Sequence, residues 1–117
     1  MTAVDTAVRV CAVSDLETER GRAALFGGRQ IALFLLTDGT VHAVDNLDPY
    51  SGANVISRGI VGSRGDAATV ASPMHKQVFD LSTGECLETQ GKAPAALTVY
   101  RVEVRDGDVY LDEEALR

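Results

Sequence analysis

Turn-forming pairs fall between short apolar runs along most of this chain, and that spacing constrains the fold more than any other feature. Gly27-Gly28 separates RAALF from RQIALFLL, and Asp38-Gly39 separates that run from TVHAVDN. Thr83-Gly84 separates QVFDL from ECLE, and Asp106-Gly107 separates VYRVEV from DVYL. Asp-Gly and Gly-Gly supply positive φ at little cost and suit the twist of antiparallel strands, so they mark hairpins. Runs of this length at this spacing predict an all-β domain.

Individual runs sharpen that reading. Residues 8 to 13 predict a short strand. Ile31 to Leu36 is apolar on both faces and belongs in the middle of a sheet. In the last hairpin Tyr100, Val102 and Val104 alternate with Arg101, Glu103 and Arg105, which predicts one buried face and one wet face. Helical turns are expected at SDLETER, with Ser14 as N-cap and Glu17 in capping-box position, and in the tail DEEALR from Asp112. Residues 48 to 70, DPYSGANVISRGIVGSRGDAATV, hold four glycines, a proline and little strand pattern. A long irregular stretch inside a small domain is usually functional, so the candidate site is placed there and in the SPMHKQVFDLSTG that follows.

The chain has 117 residues, 45% apolar and 24% charged, which fits one domain over residues 1–117 with a core at about 7–112. Its longest apolar run is far too short to span a bilayer, and MTAVDTAVRVCAV lacks the basic start and apolar stretch of a signal peptide. A soluble cytoplasmic protein that engages no membrane is therefore expected. Net charge −6 argues against nucleic acid, which needs a basic face. Between Ser51 and Phe79, however, the positives are Arg58, Arg64 and Lys76 and the only negative is Asp66. Two readings stand side by side: chance, since 29 residues hold few charges, and a modestly basic contact surface for an acidic partner patch.

Other motifs fail. No glycine-rich phosphate loop and no nucleophile elbow is present. Arg64-Gly65-Asp66 is read as a coincidental tripeptide, His42 as a strand-face residue, and Cys11 as a small core residue. Cys11 and Cys86 stand in no metal-ligand spacing and are expected to be free thiols. Cys86 lies beyond the Thr-Gly turn and is not expected to share the loop tip with His75.

AVDNLDPYSGA and SPMHKQVFDLSTGECL together resemble the two ligand loops of Rieske domains, over roughly residues 7 to 112. Such a centre holds one iron with two Cys and the other with two His. Laid onto those motifs, the first Cys falls on Asp48 and the first His on Tyr50. The second Cys falls on Ser72, and the second His on His75. The resemblance implies a Rieske-like fold, a small antiparallel β-sandwich with two loop hairpins at one end. One imidazole, one carboxylate, a phenol and a hydroxyl are a poor donor set for two irons, so no cluster, metal or other cofactor is expected in this chain.

A cluster-less chain of this length, with ISRGIVGSRG between the loops, resembles the small subunits of assimilatory NAD(P)H-dependent nitrite reductases. That resemblance implies a non-catalytic subunit of an oxidoreductase. Its partner would be a large subunit carrying FAD, a [4Fe–4S] cluster and sirohaem that reduces nitrite to ammonium. Candidate partner contacts are Tyr50, Arg58, Arg64, His75 and Lys76. His75 also has a purely structural reading, capping a backbone carbonyl within the loop pair. Tyr50 has a packing reading, filling the former cluster space. Three alternatives stand beside this one: a Rieske ferredoxin-type electron carrier, a catalyst using His75 with Asp48, and a β-adaptor for another partner.

Overall fold

The computed structural model describes residues 7–112. Their strands are β1 (Ala7–Ala12), β2 (Gly21–Phe26), β3 (Arg29–Leu35), β4 (Val41–Asp45), β5 (Ile60–Arg64), β6 (Ala67–Ala71), β7 (Val78–Asp80), β8 (Cys86–Glu88), β9 (Val99–Tyr100), β10 (Val102–Arg105) and β11 (Asp108–Asp112). They pair in three antiparallel sheets, ordered β1-β11-β10, β2-β3-β4-β9 and β5-β6-β7-β8. Two of the hairpin pairs, Gly27-Gly28 and Asp106-Gly107, have both residues at positive φ, as a tight two-residue turn between twisted strands requires.

The apolar run in β3 explains the layering. Ile31, Ala32, Leu33 and Phe34 are all fully buried. Their side chains alternate between faces. Ala32, Phe34 and Leu36 pack with Val70, Phe79 and Leu81 of the β5–β8 side. Ile31 and Leu33 pack with Tyr100, Val109 and Leu111 on the opposite side. The β2-β3-β4-β9 sheet is thus the middle layer, and a strand buried on both faces must be apolar throughout. Each large side chain buried this way contributes about 1.5–3 kcal/mol.

Several local expectations are corrected. The turn near residue 14 is a short 3-10 helix, Val13–Asp15, and Ser14 lies within it rather than capping it. Its first amide bond is closed by Asp15, whose carboxylate accepts the Ala12 N–H at 3.0 Å, so the Ser14–Glu17 box does not form. The segment 48–70 is not irregular throughout: it holds a 3-10 turn, Ile56–Arg58, and the hairpin β5–β6, which turns at Gly65 and Asp66. Arg64-Gly65-Asp66 is the end of β5 and that turn. The alternation from Tyr100 to Arg105 is broken, because the chain leaves the middle sheet after β9 and joins β11 as β10. Tyr100 is buried in consequence while Val104 is exposed. The expected turn in DEEALR lies outside the described residues, apart from Asp112, which ends β11. Among the described residues no helix is long and apolar enough to cross a membrane.

The turn between β7 and β8 is packed against backbone. Gly84 has φ 78°, and a methyl there would run into the Leu97 carbonyl oxygen. Leu97 in turn donates its N–H to the Gly84 carbonyl at 2.9 Å. Gly84→Ala is therefore expected to lower stability by about 3 kcal/mol, combining left-handed strain with a backbone clash. Urea unfolding checks this; an unchanged midpoint would show that the segment before β9 can simply move aside.

Candidate functional site

One hydrogen-bonded turn builds both loops at the end of the fold. In the first, Asp48 N–H donates to the Ala53 carbonyl at 2.8 Å and Gly52 N–H to the Asp48 carbonyl at 2.8 Å. Tyr50 N–H donates to Asp48 Oδ1 at 2.8 Å. In the second, Ser72 N–H donates to the Gln77 carbonyl at 2.8 Å and Lys76 N–H to the Ser72 carbonyl at 3.1 Å. Met74 N–H donates to Ser72 Oγ at 3.2 Å. The first residue of each turn thus supplies a side-chain oxygen to the amide two positions on, as Asp and Ser do well. The fifth residue takes positive φ, 74° at Gly52 and 62° at Lys76. A third copy closes the β7–β8 hairpin: Asp80 Oδ1 accepts the Ser82 N–H at 2.7 Å. Gly84 N–H donates to the Asp80 carbonyl at 2.8 Å, and Asp80 N–H to the Glu85 carbonyl at 2.8 Å.

A single side-chain bond joins the two loops. Ser72 Oγ donates to Asp48 Oδ2 at 2.5 Å, and both residues are buried. A hydroxyl on a carboxylate is a short, charge-assisted bond. The root of the first loop is fixed by Asn46, which is also buried. Its Nδ2 donates to Gln30 Oε1 at 3.0 Å and to the Asn54 carbonyl at 3.2 Å, while its Oδ1 accepts the Ser57 N–H at 2.7 Å. Nothing in the sequence pattern distinguished Asn46 from an ordinary loop asparagine.

Tyr50 turns inward. Its ring packs beside Phe79, with centroids 6.1 Å apart. Its hydroxyl donates to the Ala93 carbonyl and accepts the Ala95 N–H, both at 2.9 Å, so it fastens the segment before β9. Burial pushes the phenol above its ordinary range, and the adjoining Cys86 thiol adds to the shift. Cys86 therefore lies beside the inward-turned Tyr50 of the first loop, and its thiol donates to the Glu88 carbonyl at 3.3 Å. The offset between Val78↔Glu88 and Phe79↔Cys86 marks an irregularity in this ladder. Cys11 and Cys86 are free thiols.

The remaining candidates are exposed. His75 and Lys76 stand on the second loop beside Met74, and His75 makes no hydrogen bond with the described residues. The carbonyl-capping reading of His75 has no partner there. Arg58 ends the 3-10 turn that leads into β5, and Ile60 pairs with Ala71, so Arg58 lies at the Ser72 end of the hairpin. Arg64 lies at the other end, about a five-residue strand or 17 Å away. The structure thus brings Arg58, His75 and Lys76 to one end of the fold and leaves Arg64 apart. His42 lies on β4 near Thr40 Oγ1, 3.3 Å from its Nε2.

The donors at the four ligand positions do not match two thiolates and two imidazoles. The Asp48 and Ser72 side chains are engaged with each other, the Tyr50 hydroxyl faces Ala93 and Ala95, and His75 is exposed. Among the described residues no three His, Cys, Asp or Glu side chains converge as a metal would require.

Fold and loop pair together define a Rieske-like domain, and the chain belongs to the Rieske-like [2Fe-2S] domain family, whose model matches residues 6–112. Within that family it is homologous to nitrite reductase small subunits. It is 36% identical to the NADH nitrite reductase small subunit of Escherichia coli over 103 residues, 87% of this chain and 93% of that one. It superposes on the crystal structure of a putative NADH-dependent nitrite reductase small subunit from Mycobacterium tuberculosis with TM-score 0.83 and 44% identity, covering 93% and 96% of the two chains. It is also 37% identical over 107 residues to the nitrite reductase [NAD(P)H] large subunit of Klebsiella oxytoca, 92% of this chain but 11% of that one.

Ser72→Ala removes the donor that joins the loops and leaves a buried carboxylate short of a partner. It is expected to cost about 2–3 kcal/mol in denaturant unfolding, with Ser72→Thr recovering part of the loss. An unchanged unfolding midpoint would show that the loops hold their places without this bond.

Proposed function

We propose that this chain is a non-catalytic, cluster-free small subunit of a cytoplasmic NAD(P)H-dependent nitrite reductase, and that it acts by docking its loop end on the large subunit. The observation that carries the docking surface is Lys76. It occupies the left-handed position that Gly52 and Gly84 fill in the sister turns. A lysine there costs about 1–2 kcal/mol relative to an unstrained site, and glycine would relieve it. The side chain is exposed, so its charge does nothing for the core. A strained, exposed cation beside His75, with Met74 half exposed and Arg58 at the same end, fits a contact surface for an acidic, partly apolar patch.

The chemistry points the same way. With Asp48 and Ser72 bonded to each other, the loops keep their shape through protein hydrogen bonds, and electrons from NAD(P)H would stay within the large subunit. FAD, [4Fe–4S] and sirohaem would all belong to that partner. The Klebsiella large subunit includes a segment similar to nearly all of this chain. A covalent fusion supplies one domain per large chain, which favours a one-to-one ratio here.

Reconstitution with the cognate large subunit tests this. The complex is expected to form at one to one and to support NADH-dependent nitrite consumption that the large subunit alone does not match. Lys76→Gly is expected to raise the unfolding midpoint of the free chain while weakening the complex several-fold. His75→Ala should weaken binding without changing stability. A large subunit equally active alone would overturn the subunit reading. Stoichiometric iron in the purified small chain would overturn the cluster-free reading.

A further inference from the structure

Gln77 is fully buried, and neither its Nε2 nor its Oε1 has a hydrogen-bond partner among the described residues. Buried carboxamides left bare are rare, because desolvation without compensation is costly. Its direction follows from the ladder. β6 and β7 pair Ala71 with Val78 and Val70 with Phe79. The Ser72 N–H to Gln77 carbonyl bond carries that register one residue further, so Ser72 and Gln77 stand opposite each other. Opposed residues of an antiparallel pair project from the same face, with Cβ atoms about 4.5–5.5 Å apart. Ser72 turns that face to Asp48, so the Gln77 side chain leaves the backbone on the same buried face, in the space beneath the two loops.

We propose that this space is a built water-binding site, in which ordered water bridges the Gln77 carboxamide and the Asp48 carboxylate. The donor and acceptor inventory selects the ligand. Asp48 Oδ1 accepts one bond from the Tyr50 N–H and Oδ2 one from the Ser72 hydroxyl, so each oxygen keeps acceptor capacity. Gln77 offers two N–H donors and an acceptor oxygen. A bare cation would serve the acceptors and leave Nε2 unpaired, while an anion would meet the Asp48 charge. Water donates to Asp48 and Oε1 and accepts from Nε2, and a buried water typically makes about three such bonds. The solvent would thus extend the Asp48–Ser72 bond into a small polar network between the loops, on the positions where the Rieske resemblance puts the cluster thiolates.

Two measurements on the full chain test it. A high-resolution crystal structure is expected to show solvent within hydrogen-bond distance of both Gln77 and Asp48. A Gln77 carboxamide bonded only to protein groups, or surrounded by apolar atoms with no solvent peak, would overturn the site. Gln77→Met provides the second test through the sign of its effect. If water bridges the network, methionine removes its partners and the melting temperature falls by about 5 °C. If the amide is simply unsatisfied, methionine relieves it, and a rise in melting temperature overturns the proposal. Neither readout depends on nitrite reductase activity, so this inference and the subunit reading fail separately.

Discussion

The bond between Ser72 and Asp48 joins two layers of the fold at one end. Asp48 follows β4 of the middle sheet, and Ser72 follows β6 of an outer one. Each side chain also orders its own loop, Asp48 through the Tyr50 amide and Ser72 through the Met74 amide. One contact therefore couples loop shape to layer spacing. Its hydroxyl and carboxylate are not redox-active, so a tie of this kind does not depend on metal supply or on the reduction state of a cluster.

The same turn appears three times, and its third copy shows that it is a general backbone device. At Asp80 it makes a hairpin packed beneath Leu97, with a buried glycine at the left-handed position. At Asp48 and Ser72 it makes the exposed end of the molecule. What distinguishes the second loop is its fifth residue, where a lysine accepts a conformation that glycine holds at the other two. Form is shared among the three turns, and surface chemistry is local to one.

Much of the architecture was legible because the signals were local. Gly27-Gly28 and Asp106-Gly107 declare hairpins through φ alone, and the run Ile31–Leu36 declares a strand with two dry faces. The family resemblance placed Asp48, Tyr50, Ser72 and His75 in two loops, and the structure shows those loops as matching turns. The misses are non-local. The crossing at Arg101 depends on which sheet offers an open edge, and the strand pattern continues through it. The β5–β6 hairpin was hidden because IVGSR has few apolar residues on an edge strand and its turn reads Gly-Asp rather than Asp-Gly. Cys86 meets Tyr50 across a ladder irregularity that spacing does not reveal. Gln77 passes for an exposed polar residue until its partner strand is known. Partner contacts are the least legible, since exposure of Arg58 or Lys76 says where a surface is and not what meets it.

The inward turn of Tyr50 also has an optical consequence. The chain has three tyrosines and no tryptophan. Tyr100 is held by Asp45 and Arg29 in the core, and Tyr110 lies under the Arg105 guanidinium. Tyr50 alone among them belongs to the loop pair, with its phenol bound to the segment before β9. Near-ultraviolet absorption and tyrosine emission are therefore not masked by indole, and the loop pair carries its own chromophore.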